Sequence, residues 1–148
     1  MVNTSTITVG QLMTERPFTL RPNDTMMKAK EIFSSQNIHH LPVARDGKVV
    51  GILTKSDYLA ISNAFPLFNE KKREAYNDKL FATLLVEEVM TRQVAKVSPD
   101  DSIEIAAGIF RENLFHALPV VDDAGKLVGI LTTYDLLNYF FNQPGLLT

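Results

Sequence analysis

The sequence predicts an α+β fold built from two β-α-β-β-α units, each of α/β type, packed about a pseudo-twofold axis. Residues 9–59 align with residues 86–137 at an offset of 77, which becomes 78 after one inserted residue, so the chain is a duplication. In both copies the spacing of apolar residues changes between helical and extended periods in the same order. A unit of this size leaves apolar faces and strand edges exposed, and we expect the other copy to cover them.

The duplication divides the chain into a first repeat at residues 7–62, a linker at 63–85 and a second repeat at 86–142. The linker begins with an apolar run at 64–68, continues through a charged stretch at 69–74 and ends with a second apolar run at 80–85. A charged stretch of this kind is typical of a solvated helix face or a loop. We expect the apolar runs to pack on the units or on a second subunit.

The first half of each repeat is expected to contain a short turn, an extended segment and a helix. The turn starts at a valine and ends in Met-Thr, and a proline ends the extended segment because it lacks a backbone donor. The helix follows an aspartate that can cap its first turn, and its apolar residues lie at i, i+3, i+6 and i+7. In the two repeats these elements fall at 9–13 and 86–90, at 17–20 and 94–97, and after Asp24 and Asp101.

The second half of each repeat predicts a β-hairpin followed by a helix. Asp46-Gly47 separates two apolar runs and accepts the positive φ angles of a tight turn, while the second copy uses Gly125 in a loop one residue longer. The second helix starts after Thr54 or Thr132. In the second repeat it is expected to end before Pro144.

Composition excludes several classes of protein. The 148 residues are 45% hydrophobic and include no cysteine, so a core can form but disulfides, thiolate metal sites and thiol nucleophiles are absent. No apolar run approaches the ~20 residues of a membrane helix, and the first residues do not resemble a signal peptide. A net charge of −2 does not favour nucleic acid or an anionic membrane as a partner. These features predict a cytoplasmic protein.

The polar residues do not form a recognisable catalytic set. The glycines do not follow either of the common phosphate-loop patterns. His39, His40 and His116 lack the spacing of a metal site, and no serine stands in a nucleophile-elbow context. The sequence therefore predicts a protein that binds without catalysis, with no metal and no required cofactor.

One repeated segment indicates a ligand. Residues 51–57 and 129–135 join a strand to a helix N-terminus, where free N–H groups and the helix dipole favour a phosphate. Thr54 and Thr132 add a hydroxyl, and Asp57 and Asp135 can accept hydrogen bonds from a ribose diol. The same Thr-x-x-Asp spacing is also a capping box that needs no ligand. Spacing alone leaves both interpretations open.

These motifs together resemble a tandem pair of CBS domains, also called a Bateman module. The resemblance rests on the Met-Thr opening, the His-x-Leu-Pro-Val strand and the Gly-Ile-Leu-Thr-x-x-Asp junction, each present twice and in the same order. It implies two repeats packed through their sheets, with two clefts between them. It also implies regulation by an adenosine-containing ligand (AMP, ADP, ATP or S-adenosylmethionine) and further association into a homodimer.

The resemblance assigns residues to each cleft. In the first, Asp57 would bind the ribose, Thr54 and Ser56 would lie near ribose or phosphate, and His39 near phosphate. Tyr134 is bulky where Ser56 is small, which favours the first cleft. The remaining assignments are Val94, Ala95 and Lys96 around the base in the first cleft, and Asp135, Thr132, Tyr134 and His116 with Pro17, Phe18 and Thr19 in the second.

Two functions are therefore expected from the sequence. The first is a stand-alone sensor that binds an adenosyl ligand and regulates a partner protein that the sequence does not identify. The alternative is a structural protein without a ligand, in which the repeats serve dimerisation and the apolar linker, including Phe65 and Phe68, contacts a partner.

Overall fold

A computed structural model of the chain describes residues 7–64, 69–113 and 115–142. A helix, a two-stranded hairpin and a second helix occur in each repeat in the order that the duplication predicts, which confirms a mixed α and β fold of two repeats. The first repeat contains α1 (Val9–Leu12), β1 (Thr14–Glu15), α2 (Met26–Ser35), β2 (His40–Arg45), β3 (Lys48–Thr54) and α3 (Lys55–Ser62). The linker contains α4 (Glu70–Thr83) and leads into a 3-10 turn (Val86–Glu88), after which come α5 (Ile103–Asn113), β4 (Ala117–Val121), β5 (Leu127–Thr132) and α6 (Thr133–Phe141).

Each repeat contains the predicted antiparallel hairpin. Strand β2 pairs with β3, and the turn between them uses positive φ angles of 52° at Asp46 and 81° at Gly47. Strand β4 pairs with β5, and Gly125 adopts a φ of 82° in the longer loop. These angles confirm the turn prediction, since a left-handed backbone is the reason for glycine there.

The extended segments at 17–20 and 94–97 form less regular structure than a strand. Leu20 bridges Val43 and Val97 bridges Val120, both in parallel, and each bridge involves a single pair of residues. The Leu20 N–H donates to the carbonyl of Pro42 over 3.0 Å. Because alternate residues of a strand bond to the same neighbour, Pro22 after Leu20 and Pro99 after Val97 withhold the donor that would continue each ladder.

The chain forms two compact units that exchange their opening segments. The first unit lies within residues 18–93, and the second combines residues up to 17 with residues from 94 onward. The Val9 N–H donates to the carbonyl of Asp101 over 2.8 Å, and Thr14 pairs with Ile130 on β5. The predicted division at 7–62, 63–85 and 86–142 describes the duplication, whereas each compact unit takes its Met-Thr segment from the other repeat.

These Met-Thr segments cross a glycine in each unit. Ile52 and Thr91 exchange backbone hydrogen bonds of 3.0 and 2.9 Å beside Gly51. A Cβ atom added to Gly51 would lie 2.6 Å from the Met90 sulfur and 2.7 Å from the Thr91 carbonyl oxygen. At Gly129 the corresponding distances are 2.5 Å to the Met13 sulfur and 2.9 Å to the Thr14 oxygen. Glycine is therefore required at both crossings by the close approach of another backbone.

Each unit has its own hydrophobic core, and the predicted helix stripes face these cores. Met26, Ala29 and Phe33 are buried on α2, and Ile103, Ala106 and Phe110 are buried on α5. The remaining core residues are Leu20, Leu41, Val43, Leu53, Phe81, Val86 and Met90 in the first unit and Val9, Val97, Leu118, Val120 and Leu131 in the second.

The linker helix α4 packs on the first unit. Its charged first turns are exposed, whereas Phe81 near its end is 1% exposed and lies in the core of that unit. The Lys30 ammonium donates to the Asp78 carboxylate over 2.7 Å, and this hydrogen bond raises the pKa of Lys30 above its ordinary value. Phe65, Phe68 and Pro144 lie outside the described residues.

The helices of the described residues are too short or too polar to cross a lipid bilayer.

Candidate functional site

The first strand-to-helix junction is built by Thr54 and Asp57. Thr54 ends β3 in an extended conformation, with φ −101° and ψ 155°, and α3 begins at the next residue. The Asp57 N–H donates to Thr54 Oγ1 over 3.0 Å, and the Thr54 N–H donates to Asp57 Oδ2 over 3.0 Å. Both side chains are half-buried. The reciprocal pair is the capping box that the spacing predicted.

The second junction repeats this geometry at Thr132 and Asp135. The Asp135 N–H donates to Thr132 Oγ1 over 3.2 Å, and the Thr132 N–H donates to Asp135 Oδ2 over 2.8 Å. Thr132 is again extended, and α6 begins at Thr133. The duplication therefore produces two junctions with the same polar framework.

The capping interaction leaves part of each carboxylate available. Each aspartate accepts the threonine N–H through Oδ2, and within the described residues no side chain or backbone group donates to Oδ1. A carboxylate with one oxygen fixed by the backbone has a defined orientation and keeps a second acceptor. Capping through Oδ2 and ligand binding through Oδ1 are therefore compatible at these residues.

The predicted histidines lie beside the junctions. The carbonyl of His39 accepts the Lys55 N–H over 2.8 Å, and that of His116 accepts the Thr133 N–H over 2.9 Å. Their backbones thus hold the first residue of each helix, while both side chains are exposed. Imidazole rings in this position can donate to an anion without losing a structural contact.

The second residue of each helix differs between the junctions. Ser56 on α3 is exposed and small, whereas Tyr134 on α6 is 70% exposed and carries a full aromatic ring into solvent. The preceding residue is Lys55 in the first junction and Thr133 in the second. The two junctions share a framework but present different chemistry to a ligand.

The predicted base-contacting segments lie in different units. Phe18 and Thr19 precede Leu20, which pairs with β2, and they belong to the same unit as Asp57. His40 starts β2 and lies opposite Thr54, which ends β3. Phe18 and Thr19 therefore approach the end of the sheet where α3 begins. Phe18 is 51% exposed there.

The second unit has the same arrangement with Val94, Ala95 and Lys96. They precede Val97, which pairs with β4 in the unit that holds Asp135, and Pro17 also belongs to this unit. Sequence reasoning missed that each extended segment lies beside the junction of its own repeat. The assignment of Val94–Lys96 to Asp57, and of Phe18 and Thr19 to Asp135, stays a prediction.

Acidic residues and histidines are dispersed over the described parts of the chain. Within residues 7–64, 69–113 and 115–142, no three of them come close enough together to hold a metal ion.

Comparison with known proteins gives a consistent result. The family model of the CBS domain matches residues 9–63 and 86–142. Homoserine O-acetyltransferase of Methanohalophilus mahii is 31% identical over 128 residues, which cover 86% of this chain but 23% of that enzyme. The chain therefore spans about a quarter of the length of this curated relative.

Two solved structures resemble the whole described fold and contain adenosine compounds. CBSX2 in complex with AMP is 30% identical, with a TM-score of 0.72 over 90% of this chain and 95% of that one. The CBS domain pair of protein MJ0100, in complex with 5-methylthioadenosine and S-adenosyl-L-methionine, is 30% identical with a TM-score of 0.70 over 90% and 98% of the two chains.

Proposed function

Because the chain belongs to the CBS domain family and carries that domain twice, we propose that it is a regulatory module that binds an adenosine-containing ligand at its Thr-Asp junctions. The observation that carries this proposal is the pair of capped aspartates, each with one oxygen fixed and one available. Relatives with 30% identity have been crystallised with AMP and with S-adenosyl-L-methionine. The chain's role is thus binding rather than catalysis.

At the first junction, the available Oδ1 of Asp57 would accept from the hydroxyls of the ribose. Two of the first N–H groups of α3 already have partners, since Lys55 donates to His39 and Asp57 donates to Thr54. The Ser56 N–H would take the anionic group of the ligand, assisted by the positive end of the helix dipole. Thr54, the Ser56 hydroxyl and the exposed His39 ring supply further polar contacts.

The second junction supplies the same ribose acceptor from Asp135 but a different anion site. Thr133 replaces Lys55, and Tyr134 replaces Ser56. A phosphorylated ligand would therefore prefer the first junction, because a lysine at the first helical residue adds a cation that a threonine lacks. We assign AMP, ADP or ATP to the first junction in preference to the second.

A ligand panel tests the proposal. Nucleotide-stripped protein is heated with AMP, ADP, ATP, GTP, NADH or S-adenosylmethionine, and the melting temperature is measured against ligand-free protein. At about a hundredfold excess over Kd, a ligand stabilises the fold by about 2.7 kcal/mol, which corresponds to roughly 5–10 °C in a chain of this size. We expect Asp57→Ala to abolish the shift for AMP, and Asp135→Ala to leave most of it.

Asp24→Ala is the matched control for that panel. Asp24 also accepts a backbone N–H three residues earlier, from Arg21 over 2.7 Å, but this bond lies in the turn before α2, whose N-cap residue Thr25 makes no side-chain capping bond. Its loss lowers the melting temperature of the free protein without changing the ligand-induced shift. An AMP shift that survives in the Asp57→Ala and Asp135→Ala variants alike would refute the ribose assignment, as would a panel in which no compound shifts the melting temperature.

A second candidate function, dimerisation without a ligand, is favoured by one observation. Leu137 and Phe141 on α6 are each 57% exposed, and together with Tyr134 they follow the i, i+3, i+7 spacing of one helix face. An exposed apolar stripe of this kind is typical of a contact surface. We propose that α6 contributes to a homodimer.

Light scattering and native mass spectrometry test the homodimer. We expect Leu137→Glu combined with Phe141→Ser to convert a dimer into a monomer, because charge and polarity on this stripe oppose its burial. Leu59→Glu, on the equivalent face of the first repeat, serves as the control and should leave the dimer intact. Wild-type protein that is monomeric at all concentrations, or a dimer that the double substitution leaves unchanged, would argue against α6 as the interface.

A further inference from the structure

Helix α3 connects the first ligand junction to the linker helix α4. It has 8 residues, and its first turn carries the capping box of Thr54 and Asp57. Its last residue, Ser62, contacts α4 through a hydrogen bond described below. A helix this short behaves as one rigid piece, so a displacement at its first turn moves its last turn as well.

An aromatic stack joins the two helices. Tyr58 follows Asp57 directly in the chain, and its ring lies between two others. The ring centroid of Tyr58 is 5.7 Å from that of Phe33 on α2 and 5.5 Å from that of Phe81 on α4. Distances of this order correspond to direct ring contact. Phe81 is thus in contact with the residue next to the proposed ribose ligand.

A buried amide joins the other end of α3 to α4. The Nδ2 atom of Asn77 donates to the carbonyl of Ser62 over 2.9 Å, and Asn77 is 8% exposed. The Oδ1 atom of the same amide is buried and has no hydrogen-bond partner among the described residues. A buried polar atom without a partner is costly, so loss of the bond to Ser62 would leave both polar atoms of the Asn77 amide without partners.

Few other side chains hold α4 in place. Of its 14 residues, only Asn77 and Phe81 are buried. The ion pair between Lys30 and Asp78 links α4 to α2, but its side chains are 34% and 54% exposed, and such pairs contribute little to stability. An element with few buried contacts opens locally at a low free energy. Small changes in α3 can therefore change how often α4 opens.

The described residues of the second unit, 94–113 and 115–142 with 7–17, do not make this connection. Leu136 stands where the first repeat has Tyr58, so an aromatic stack cannot form there. Phe140 stands where the first repeat has Ser62. The two junctions have the same capping box. Among the described residues, an aromatic contact to another helix of the same unit follows the first junction, where Tyr58 contacts Phe81 of α4.

We propose that α4 reports ligand occupancy of the Asp57 junction, through the contacts that Tyr58 and Ser62 of α3 make with Phe81 and Asn77 of α4. This inference rests on the proposed function and adds the element that changes when the ligand binds. A ligand held by Asp57 stabilises the first turn of α3, which keeps Tyr58 and Ser62 in place and lowers the frequency at which α4 opens. The Asp135 junction makes no corresponding contacts within the described residues.

Hydrogen exchange measured by mass spectrometry tests the proposal, with AMP as the ligand. Exchange in residues 76–83 is compared with exchange in the β2–β3 hairpin, which serves as the internal reference. We expect saturating AMP to slow exchange in 76–83 by about fivefold relative to the hairpin. In Tyr58→Leu, which introduces the residue found in the second repeat, this difference should disappear while the AMP affinity from calorimetry changes less than about threefold. Tyr58→Phe keeps the aromatic ring and should retain the AMP-dependent difference in exchange.

A ligand-free comparison separates failure of this inference from failure of the proposed function. Asp57→Ala removes the carboxylate half of the capping box of α3, the bond from the Thr54 N–H to Asp57 Oδ2, and should accelerate exchange in 76–83 by about fivefold. Asp135→Ala removes the corresponding bond from the Thr132 N–H in the second unit and should leave exchange in 76–83 unchanged. The inference is overturned if hydrogen exchange in 76–83 is unchanged when Asp57 is replaced. It is also overturned if AMP binds through Asp57 and does not slow hydrogen exchange in α4. If AMP does not bind, the proposed function fails for this ligand, and the Asp57→Ala comparison still decides whether α3 and α4 are coupled.

Discussion

Replacement of Gly51 by alanine is expected to lower the free energy of unfolding by about 2–4 kcal/mol. The new methyl group would lie 2.6 Å from the Met90 sulfur, which can move, and 2.7 Å from the Thr91 carbonyl oxygen, which cannot move without breaking the bonds between Thr91 and Ile52. Chemical denaturation measures the loss. The corresponding decrease in melting temperature is roughly 5–12 °C.

Gly108→Ala is the control for that measurement. Gly108 lies on α5, and a Cβ atom added there would meet nothing within 4 Å. Alanine has the higher helix propensity, so this substitution should be neutral or stabilise the protein by up to about 1 kcal/mol. Equal effects of the two substitutions would contradict the tight crossing at Gly51 and would indicate that glycine serves there only for backbone freedom.

Phe81→Ala is expected to cost about 3–5 kcal/mol, the larger of the two effects. Phe81 is 1% exposed, and its ring contacts Tyr58, so its removal leaves a cavity in the core of the first unit and detaches the end of α4. A polar helix such as α4 has no other large apolar anchor inside the core. The loss should appear in denaturant unfolding as a lower midpoint.

Tyr76→Ala is the control that distinguishes loss of the buried Phe81 ring from loss of any aromatic ring on α4. Tyr76 lies on the same helix and is 50% exposed, so its truncation should change the free energy of unfolding by less than about 1 kcal/mol. A loss of similar size for Tyr76→Ala and Phe81→Ala would show that the helix itself, rather than the buried ring, sets the stability of this region.

Features that depend on neighbouring residues could be predicted from the sequence. The Asp46-Gly47 turn needs only a positive φ at two positions, and the capping boxes need only a threonine and an aspartate three residues apart. The helix stripes follow from the 3.6-residue period. Each of these signals lies within a few residues, so distant parts of the chain do not alter it.

The exchange of opening segments could not be predicted in the same way. Met13-Thr14 and Met90-Thr91 are identical dipeptides, and both glycine crossings accept the same methionine and threonine. The sequence therefore fits either pairing equally well. Which dipeptide pairs with which glycine depends on the path of the chain between the two dipeptides, and no local sequence pattern specifies that path.

The linker and the junctions also show which features a local sequence pattern can predict. The charged stretch at 69–74 indicated solvent exposure and the apolar run at 80–85 indicated packing, and the burial of Phe81 in the first unit agrees with the second expectation. The Thr-Asp pairs were predicted from their spacing, whereas the position of each extended segment beside the junction of its own repeat was not predicted, because it depends on pairing between distant parts of the chain. A right-handed connection from Leu20 through α2 to β2 would have placed Phe18 and Thr19 beside the start of β2.

During synthesis, the two units become complete at different times. Residues 18–93 are contiguous, so the first unit can form while the second repeat is still being made. Residues 7–17 leave the ribosome earlier, yet they belong to a unit that also needs the strands β4 and β5. Val9, which is 0% exposed in the finished fold, must wait for partners that are translated much later. Residues 7–17 are thus made before the first unit but placed after it, and a chain that stops before residue 94 leaves them accessible to chaperones and to other nascent chains.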